Sequence, residues 1–301
     1  MPRIAYKDHN FRAASLALIE QAQTVLDEYA EQGYTLTLRQ LYYQMVARLY
    51  LENTTRAYKR LGQLLVDARL AGLVDWNAIV DRTRALEGNT HWESPTEVLD
   101  QVFDAYQIDK WANQEYRVEV WIEKDALVGV IEQTCRDLDI DYFSCRGYAS
   151  ISEVWKAARR LRRYTIHGQA PVILHFSDHD PSGIDMTRDL DDRLALFAGY
   201  QIEVHRMALL RRQVDHFGLP ANPAKLSDSR SGDYVHRHGR SSWELDALEP
   251  AVINGLIEEF VLSMRDEDAW EDALAIEEQH RSALADARDV ESIACMDPWR
   301  G

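Results

Sequence analysis

The sequence predicts an α/β protein, a Rossmann-like and mainly parallel sheet covered by helices on both faces, preceded by a mainly helical domain ending in a small wing. Three observations carry this expectation. Apolar residues recur with helical period through the first ninety residues, and short apolar strands alternate with amphipathic helices beyond residue 115. A stretch rich in chain breakers separates the two textures.

Residues 1–90 form the helical unit. Over 11–31 the apolar positions Leu16, Leu18, Ile19, Ala22, Val25 and Leu26 lie on one helical face, and Gly33 follows as a stop signal. A second helix opens at Thr37, where Thr-Leu-Arg-Gln fits a capping box closed by Gln40. A third runs over 54–70 and ends near Gly72, after which Val74-Asp75-Trp76 begins the wing. Three short helices and a wing are a common DNA-binding plan. Residues 91–115 are a linker with one helix, bounded by the breakers Gly88-Asn89-Thr90 and Ser94-Pro95. In 116–301, strands are expected at 118–122, 141–144, 171–176 and 201–207, with helices at 125–138, 151–164 and 184–197 between them. Residues 218–241 read as a Gly/Ser/Asp/His-rich loop, and the remainder as helical.

A chain of 301 residues has room for two domains of ordinary size. Its longest apolar runs, such as Pro171-Val172-Ile173-Leu174, are too short to span a bilayer, so no membrane partner is expected. Its first residues, MPRIAYKDHNFR, show no apolar stretch followed by a cleavage site. Three cysteines without a CxxC pair argue against a disulfide framework and against a cysteine zinc site, so a cytoplasmic location is expected. The net charge of −16 is unevenly spread: residues 1–90 carry 11 Lys/Arg against 10 Asp/Glu, whereas 244–301 carry 4 against 16. Local charge decides where a polyanion docks, and the acid concentrates away from the helical unit.

Three acids stand at strand ends. Glu123 directly follows the first strand, and Asp178 and Asp180 follow the third. In a doubly wound sheet ligands gather beyond the carboxyl ends of the strands, so these acids should converge. Carboxylates grouped at one point need a positive partner, and magnesium suits such hard oxygen donors while keeping waters that a phosphate can replace. On the second helix, Leu38, Leu41, Tyr42, Met45 and Leu49 share one arc, which makes Tyr42 a core residue. Tyr43 turns about 100° away from that arc. Arg39, four residues earlier, lies beside it on an exposed face. A guanidinium next to a phenol suits a phosphate and favours the phenolate.

Trp-Ile-Glu-Lys-Asp-Ala (121–126) followed by Ser-Asp-His-Asp-Pro-Ser-Gly-Ile (177–184) resembles the Toprim fold of the topoisomerase VI A subunit and the meiotic double-strand-break protein. Cys-Arg-Gly-Tyr-Ala-Ser (145–150), Arg206–Leu209 and Trp-Glu-Leu-Asp-Ala-Leu (243–248) resemble further segments of that family. Arg39-Gln40-Leu41-Tyr42-Tyr43 resembles its Arg-x-x-aromatic-Tyr motif within a winged-helix domain. The chain is similar to the compact A-like proteins of phages and mobile elements. The resemblance implies Mg2+ (or Mn2+) held by Glu123, Asp178 and Asp180, with Lys124 and Glu244 as further members of the site. It implies Tyr43 as nucleophile, joined to a DNA 5′ end, with Arg39 supporting it. It also implies a homodimer sharing tyrosine and acids between subunits, and it leaves room for an ATPase B-type subunit, since no phosphate-loop motif stands in this chain.

DNA contacts are expected from Arg56, Lys59 and Arg60 on the outer stripe of the third helix, from Arg69, which resembles a family arginine, and from Lys124. Arg159, Arg160, Arg162 and Arg163 form a basic helix end, and His236 and His238 read as ordinary polar residues. Three rivals stand beside strand cleavage by tyrosine. One is a Toprim nuclease in which water attacks, a second is a catalytically weak DNA-binding or assembly protein, and a third is primase or RNA-maturation Toprim chemistry, which the Arg39–Tyr43 motif disfavours.

Overall fold

The computed structural model describes residues 3–80, 90–224 and 230–288. Helices α1 (Ala13–Glu31), α2 (Leu38–Ala47) and α3 (Thr55–Leu70) pack around Leu18, Ala22, Val25, Leu41, Met45, Leu61 and Leu65. The capping box forms as its spacing predicts. Gln40 N donates to Thr37 Oγ1 at 3.3 Å and Thr37 N donates to Gln40 Oε1 at 2.8 Å, which satisfies amides that no helical partner reaches. Of the expected wing only the start lies among the described residues. Residues 74–76 form no strand, Asn77 N donates to Asp75 Oδ1 at 2.7 Å in a local turn, and one parallel bridge joins Leu36 to Ile79. Residues 81–89, where the wing would continue, lie outside the described residues.

Helix α4 (Pro95–Ala105) is capped by Ser94, whose Oγ accepts from Glu97 N at 3.2 Å. Strands and helices then alternate: β1 (Tyr116–Ile122), α5 (Val128–Asp137), β2 (Asp141–Ser144), α6 (Ile151–Ile166), β3 (Ala170–Phe176), α7 (Pro181–Ala198) and β4 (Glu203–Ala208). All four strands pair in parallel in the order β2-β1-β3-β4. Their pleat divides the core. Val118, Val120, Ile122, Val172 and Leu174 face Val130 and Ile131 of α5, while Trp121 and Ile173 face Val154 and Leu161 of α6 and Leu190 and Leu194 of α7. Burial on both faces is why these strands read as nearly continuous apolar runs. Glu119 interrupts the run and is satisfied where it lies. Arg160 donates to its carboxylate at 2.8 and 2.9 Å, and Trp121 Nε1 donates at 2.9 Å.

The chain continues through α8 (Arg211–Phe217), β5 (Asn222–Pro223), α9 (Ser231–His238), β6 (Ser241–Ser242), α10 (Pro250–Met264) and α11 (Glu267–Arg288). The span 218–241, expected as loop, therefore contains helix α9 and strand β5, which pairs antiparallel with β6. Helix α10 joins the β1 face through Ile253, Ile257 and Val261, and α11 meets α4, where Ile108 N donates to Glu277 Oε2 at 3.0 Å just beyond that helix. No helix among the described residues is long and apolar enough to cross a membrane.

Two features of this topology position the site. The chain leaves β1 for β2 on one side and returns to β3 on the other, which opens a crevice beyond the carboxyl ends of β1 and β3. The helical unit also closes against β5 and the segment after β6. Ala247 sits in its core, Asn53 Nδ2 donates to Asn222 Oδ1 at 2.6 Å, Asn254 Nδ2 donates to Tyr34 Oη at 3.0 Å, and Tyr29 Oη donates to Glu249.

Candidate functional site

The β3–α7 loop is held by three devices. Asp180 caps α7, its Oδ1 accepting from Gly183 N at 2.6 Å, and Pro181 fills the first helical turn, so the helix begins at 181 rather than 184. Gly183 permits the loop to close, because a Cβ there would lie 2.1 Å from Asp178 O. The half-buried Arg206 of β4 clamps the loop, donating to Gly183 O at 2.6 Å, Asp178 O at 2.7 Å and Leu209 O at 3.2 Å, and to Ser177 Oγ at 2.5 Å. Burial lowers its guanidinium to about 10, still charged at neutral pH. The segment after β6 is stitched on top. His179 N donates to Trp243 O at 2.9 Å, Trp243 N returns a bond to His179 O at 3.0 Å, and Leu245 N donates to Asp178 Oδ1 at 2.7 Å.

These contacts bring Glu244 and Asp246 to Asp178, and oxygens of the three carboxylates lie within 4.8 Å of one another. Lys124 sits among them, its Nζ 2.7 Å from Asp178 Oδ1, 2.5 Å from Asp246 Oδ2 and in contact with Glu244 Oε2. Arg39 approaches from α2, with Nη2 2.7 Å from Glu244 Oε2 and Nε 3.7 Å from Asp246 Oδ2. Asp246 Oδ1 is buried and has no partner among the described residues. The set Glu123, Asp178 and Asp180 is also gathered, more loosely. Asp178 N donates to Glu123 Oε2 at 2.9 Å, and all three acids line a cavity of about 270 Å³ with Lys124, Arg39 and Glu244. The triad Asp178, Glu244 and Asp246 could hold a metal ion, and hard carboxylate oxygens with one unmet acceptor fit a divalent ion such as Mg2+ or Mn2+.

Charge in the cluster is shared unequally. Burial pushes the Asp178 carboxyl well above its ordinary range, against the pull of Lys124, and burial raises Glu123 as well. Burial acts on Glu244 in the same direction, but Lys124 and Arg39 together outweigh it and hold that carboxyl down at about 2. The sign of its effect on stability follows. The folded state keeps Glu244 charged down to about pH 2 whereas an ordinary glutamate takes up its proton near 4.5, so the unfolded chain binds more protons between those values. The stability that Glu244 contributes is present above pH 4.5 and is lost as pH falls through that window toward about 2. Urea unfolding should find Glu244→Gln less stable than the wild type near pH 5, with the two midpoints converging as pH approaches 2. A gap that stays constant over that range would remove the charge from the explanation.

Tyr43 is placed differently from its expectation. Its ring is buried, 6 % exposed, rather than lying on an open face, and it packs edge-on against Tyr42 at 5.3 Å between centroids. The physical reason is a second cover: the turn Leu245–Ala247 packs on α2 and closes the face that helical periodicity leaves open. Arg39 still lies over Tyr43, 5.8 Å from the ring centroid, and Asn222 Nδ2 donates to Tyr43 Oη at 3.3 Å. Burial raises the phenol and Glu244 adds to the rise, while Asn222, Arg39 and Lys124 oppose it. Leu49, expected in the core, is 91 % exposed, because α2 ends at Ala47 and Leu49 takes a left-handed φ of 60° beyond the cap. A cleft of about 540 Å³ runs between the two units, lined by Tyr43, Arg39, Asp178, Asp180 and Glu244, and on its far wall by Thr54, Thr55 and Tyr58 at the start of α3.

The expected DNA-binding residues divide. Arg56, Lys59 and Arg60 are exposed on α3, and Arg159, Arg162 and Arg163 are exposed on α6, where Arg159 stacks on Trp155 at 4.9 Å. Arg160 is committed to Glu119. Arg69 turns inward, donating to Ile79 O and lying 5.9 Å from the Trp76 ring, and Lys124 faces the acids rather than an outer surface. His238 packs against the His179 and Tyr234 rings, and His236 is exposed. Sequence reasoning missed three site residues: Asp246, Asn222 and the clamp Arg206. Asp246 had a signal, since it stands two residues after Glu244 in the acidic segment 243–248 that resembles the family's. No family model matches the sequence, and comparison with curated proteins finds no match.

Proposed function

We propose that the protein is a magnesium- or manganese-dependent DNA strand-cleaving enzyme of the topoisomerase VI A-subunit type, in which Tyr43 attacks a backbone phosphate. In this reading the crevice domain is a Toprim fold and the helical unit stands in for the winged-helix domain. The observation that carries it is the cleft: Tyr43, Arg39 and the acids Asp178, Asp180 and Glu244, from segments far apart in sequence, line one wall-to-wall space. The first turn of α3 also borders it, and a helix N-terminus favours a phosphate. The exposed Arg56, Lys59 and Arg60 follow on the same helix and would hold the flanking duplex.

The chemistry follows from these groups. Tyr43 Oη forms a bond to phosphorus as the bond from phosphorus to the 3′ oxygen breaks, and the phenolic proton ends on the departing 3′ hydroxyl. The product is a 5′-phosphotyrosyl link with a nick or, from a homodimer, a double-strand break. A divalent ion at the acids would offset charge gathering on the phosphoryl group. Arg39, already over the phenol, would meet the same charge from the other side. Tyr43 and the acids meet within one chain here, so the resemblance's subunit-shared arrangement is not needed for them to line one cleft. An ATPase partner would be needed only for directed strand passage.

One observation favours the rival in which water attacks, namely the burial of the Tyr43 ring. The test is incubation with supercoiled plasmid and Mg2+, followed by denaturation with and without protease. Tyrosine attack gives nicked or linear DNA that stays protein-linked until digestion. Ends free of protein before digestion would establish hydrolysis, and intact plasmid would leave a binding or assembly protein.

A further inference from the structure

We infer that Lys124 and a divalent cation are alternative occupants of the nest formed by Asp178, Glu244 and Asp246, so that the lysine must swing out before the ion is seated. The inference rests on the reading of this site as a divalent-cation site but not on DNA cleavage.

Geometry makes the two exclusive. The Lys124 ammonium touches all three carboxylates, at 2.7 Å from Asp178 and 2.5 Å from Asp246 and in contact with Glu244, so it occupies their common centre. A magnesium ion takes the same position, about 2.1 Å from each oxygen. The three donor oxygens lie within 4.8 Å of one another, and once the lysine leaves they would draw in toward the ~3 Å spacing of neighbouring octahedral ligands. An ammonium retained there would sit against a doubly charged ion with no room between them.

Two further observations point to a ligand beyond the lysine. Asp246 is fully enclosed, its side chain 0 % exposed, yet its Oδ1 has no partner among the described residues. A buried carboxylate oxygen left unpaired is costly; Lys124 meets only Oδ2, and a cation that took this carboxylate through both oxygens would satisfy Oδ1 as well. The lysine also has somewhere to go. It lines the 270 Å³ cavity whose other walls carry Glu123 and Asp180, acids able to receive the ammonium once it leaves Asp246. Charge balance agrees: three carboxylates face Lys124 and Arg39, and exchanging the lysine for a divalent ion neutralises the nest, whereas adding the ion on top of both would overshoot. The acids expected from the resemblance would then act as the landing place for Lys124, and Asp178 would be the one member common to both sets.

The test is Mn2+ binding to the full chain, followed through the electron paramagnetic resonance signal of the free ion. Lys124→Met should bind Mn2+ at least tenfold more tightly than the wild type. Asp246→Asn should bind at least tenfold more weakly, and Asp180→Asn should stay within about threefold. Equal or weaker binding by Lys124→Met overturns the inference. So does unchanged binding by Asp246→Asn with loss in Asp180→Asn, an outcome that moves the ion to the other acids and leaves the strand-cleavage reading standing. No Mn2+ binding by any form overturns both. A measurement on the wild type needs no variant to fold: the Lys124 side-chain amine resonance in 15N-labelled protein should shift or vanish on saturation with Mg2+, and a resonance that stays put at saturation contradicts the exchange.

Discussion

Tyr43→Phe is expected to abolish protein-linked DNA ends, lowering adduct yield by ~10⁴-fold or more, the scale on which removal of a nucleophile acts. The substitution deletes one oxygen and little else. The ring still meets Tyr42 at 5.3 Å and still lies beneath Arg39 at 5.8 Å. What is lost is the hydrogen bond from Asn222 at 3.3 Å, worth about 1 kcal/mol or less. A folded variant with unchanged cation binding and no adduct therefore isolates the chemical step. If Tyr43→Phe still cuts plasmid at the wild-type rate and the ends are free of protein, water is the nucleophile and the tyrosine is a packing residue.

Arg206→Met is expected to have the largest effect on stability, about 3 kcal/mol or more, read from the midpoint of urea unfolding. The guanidinium holds Gly183 O, Asp178 O and Leu209 O together with Ser177 Oγ and Thr187 Oγ1, at distances from 2.5 to 3.2 Å. Methionine fills similar volume and supplies no donor, so several buried acceptors lose their partner at once. The same change frees the loop that carries Asp178 and Asp180, and cation binding should weaken together with stability. A variant that unfolds like the wild type would show that the loop is held by Gly183 and the Asp180 cap alone.

Much of the fold was legible because it depends on local rules. The capping box at Thr37 and Gln40, the apolar runs of β1 and β3, the strand at 141–144 and the outward Arg56, Lys59 and Arg60 of α3 follow from period and cap chemistry, which neighbouring residues decide. The convergence of Glu123 with Asp178 also followed, since acids at the ends of adjacent parallel strands must lie together. The α/β architecture is in place, with the helical unit before it.

What escaped depends on segments distant in sequence. The face of α2 carrying Tyr43 is covered by Leu245–Ala247, about two hundred residues later, and no periodicity within α2 can report a cover of that kind. For the same reason Lys124, which follows a strand-end acid and reads as a phosphate contact, is captured by Glu244 and Asp246 from the far segment. Arg69 looks like a free cation on an amphipathic helix until Ile79 and Trp76 fold back over it. Helix α9 escaped because Gly232 and its polar neighbours give weak propensity, and the buried Tyr234, whose hydroxyl donates to Ser241 O at 2.8 Å, anchors it from outside its own pattern.

The most direct measurement is the identity of the residue joined to DNA. Cleavage complexes trapped by denaturant, digested with nuclease and trypsin and sequenced by mass spectrometry, should yield the peptide spanning residues 40–48 with a 5′-phosphonucleotide on Tyr43 and not on Tyr42. Cut DNA with that peptide unmodified, or with the nucleotide on another residue, would contradict the account.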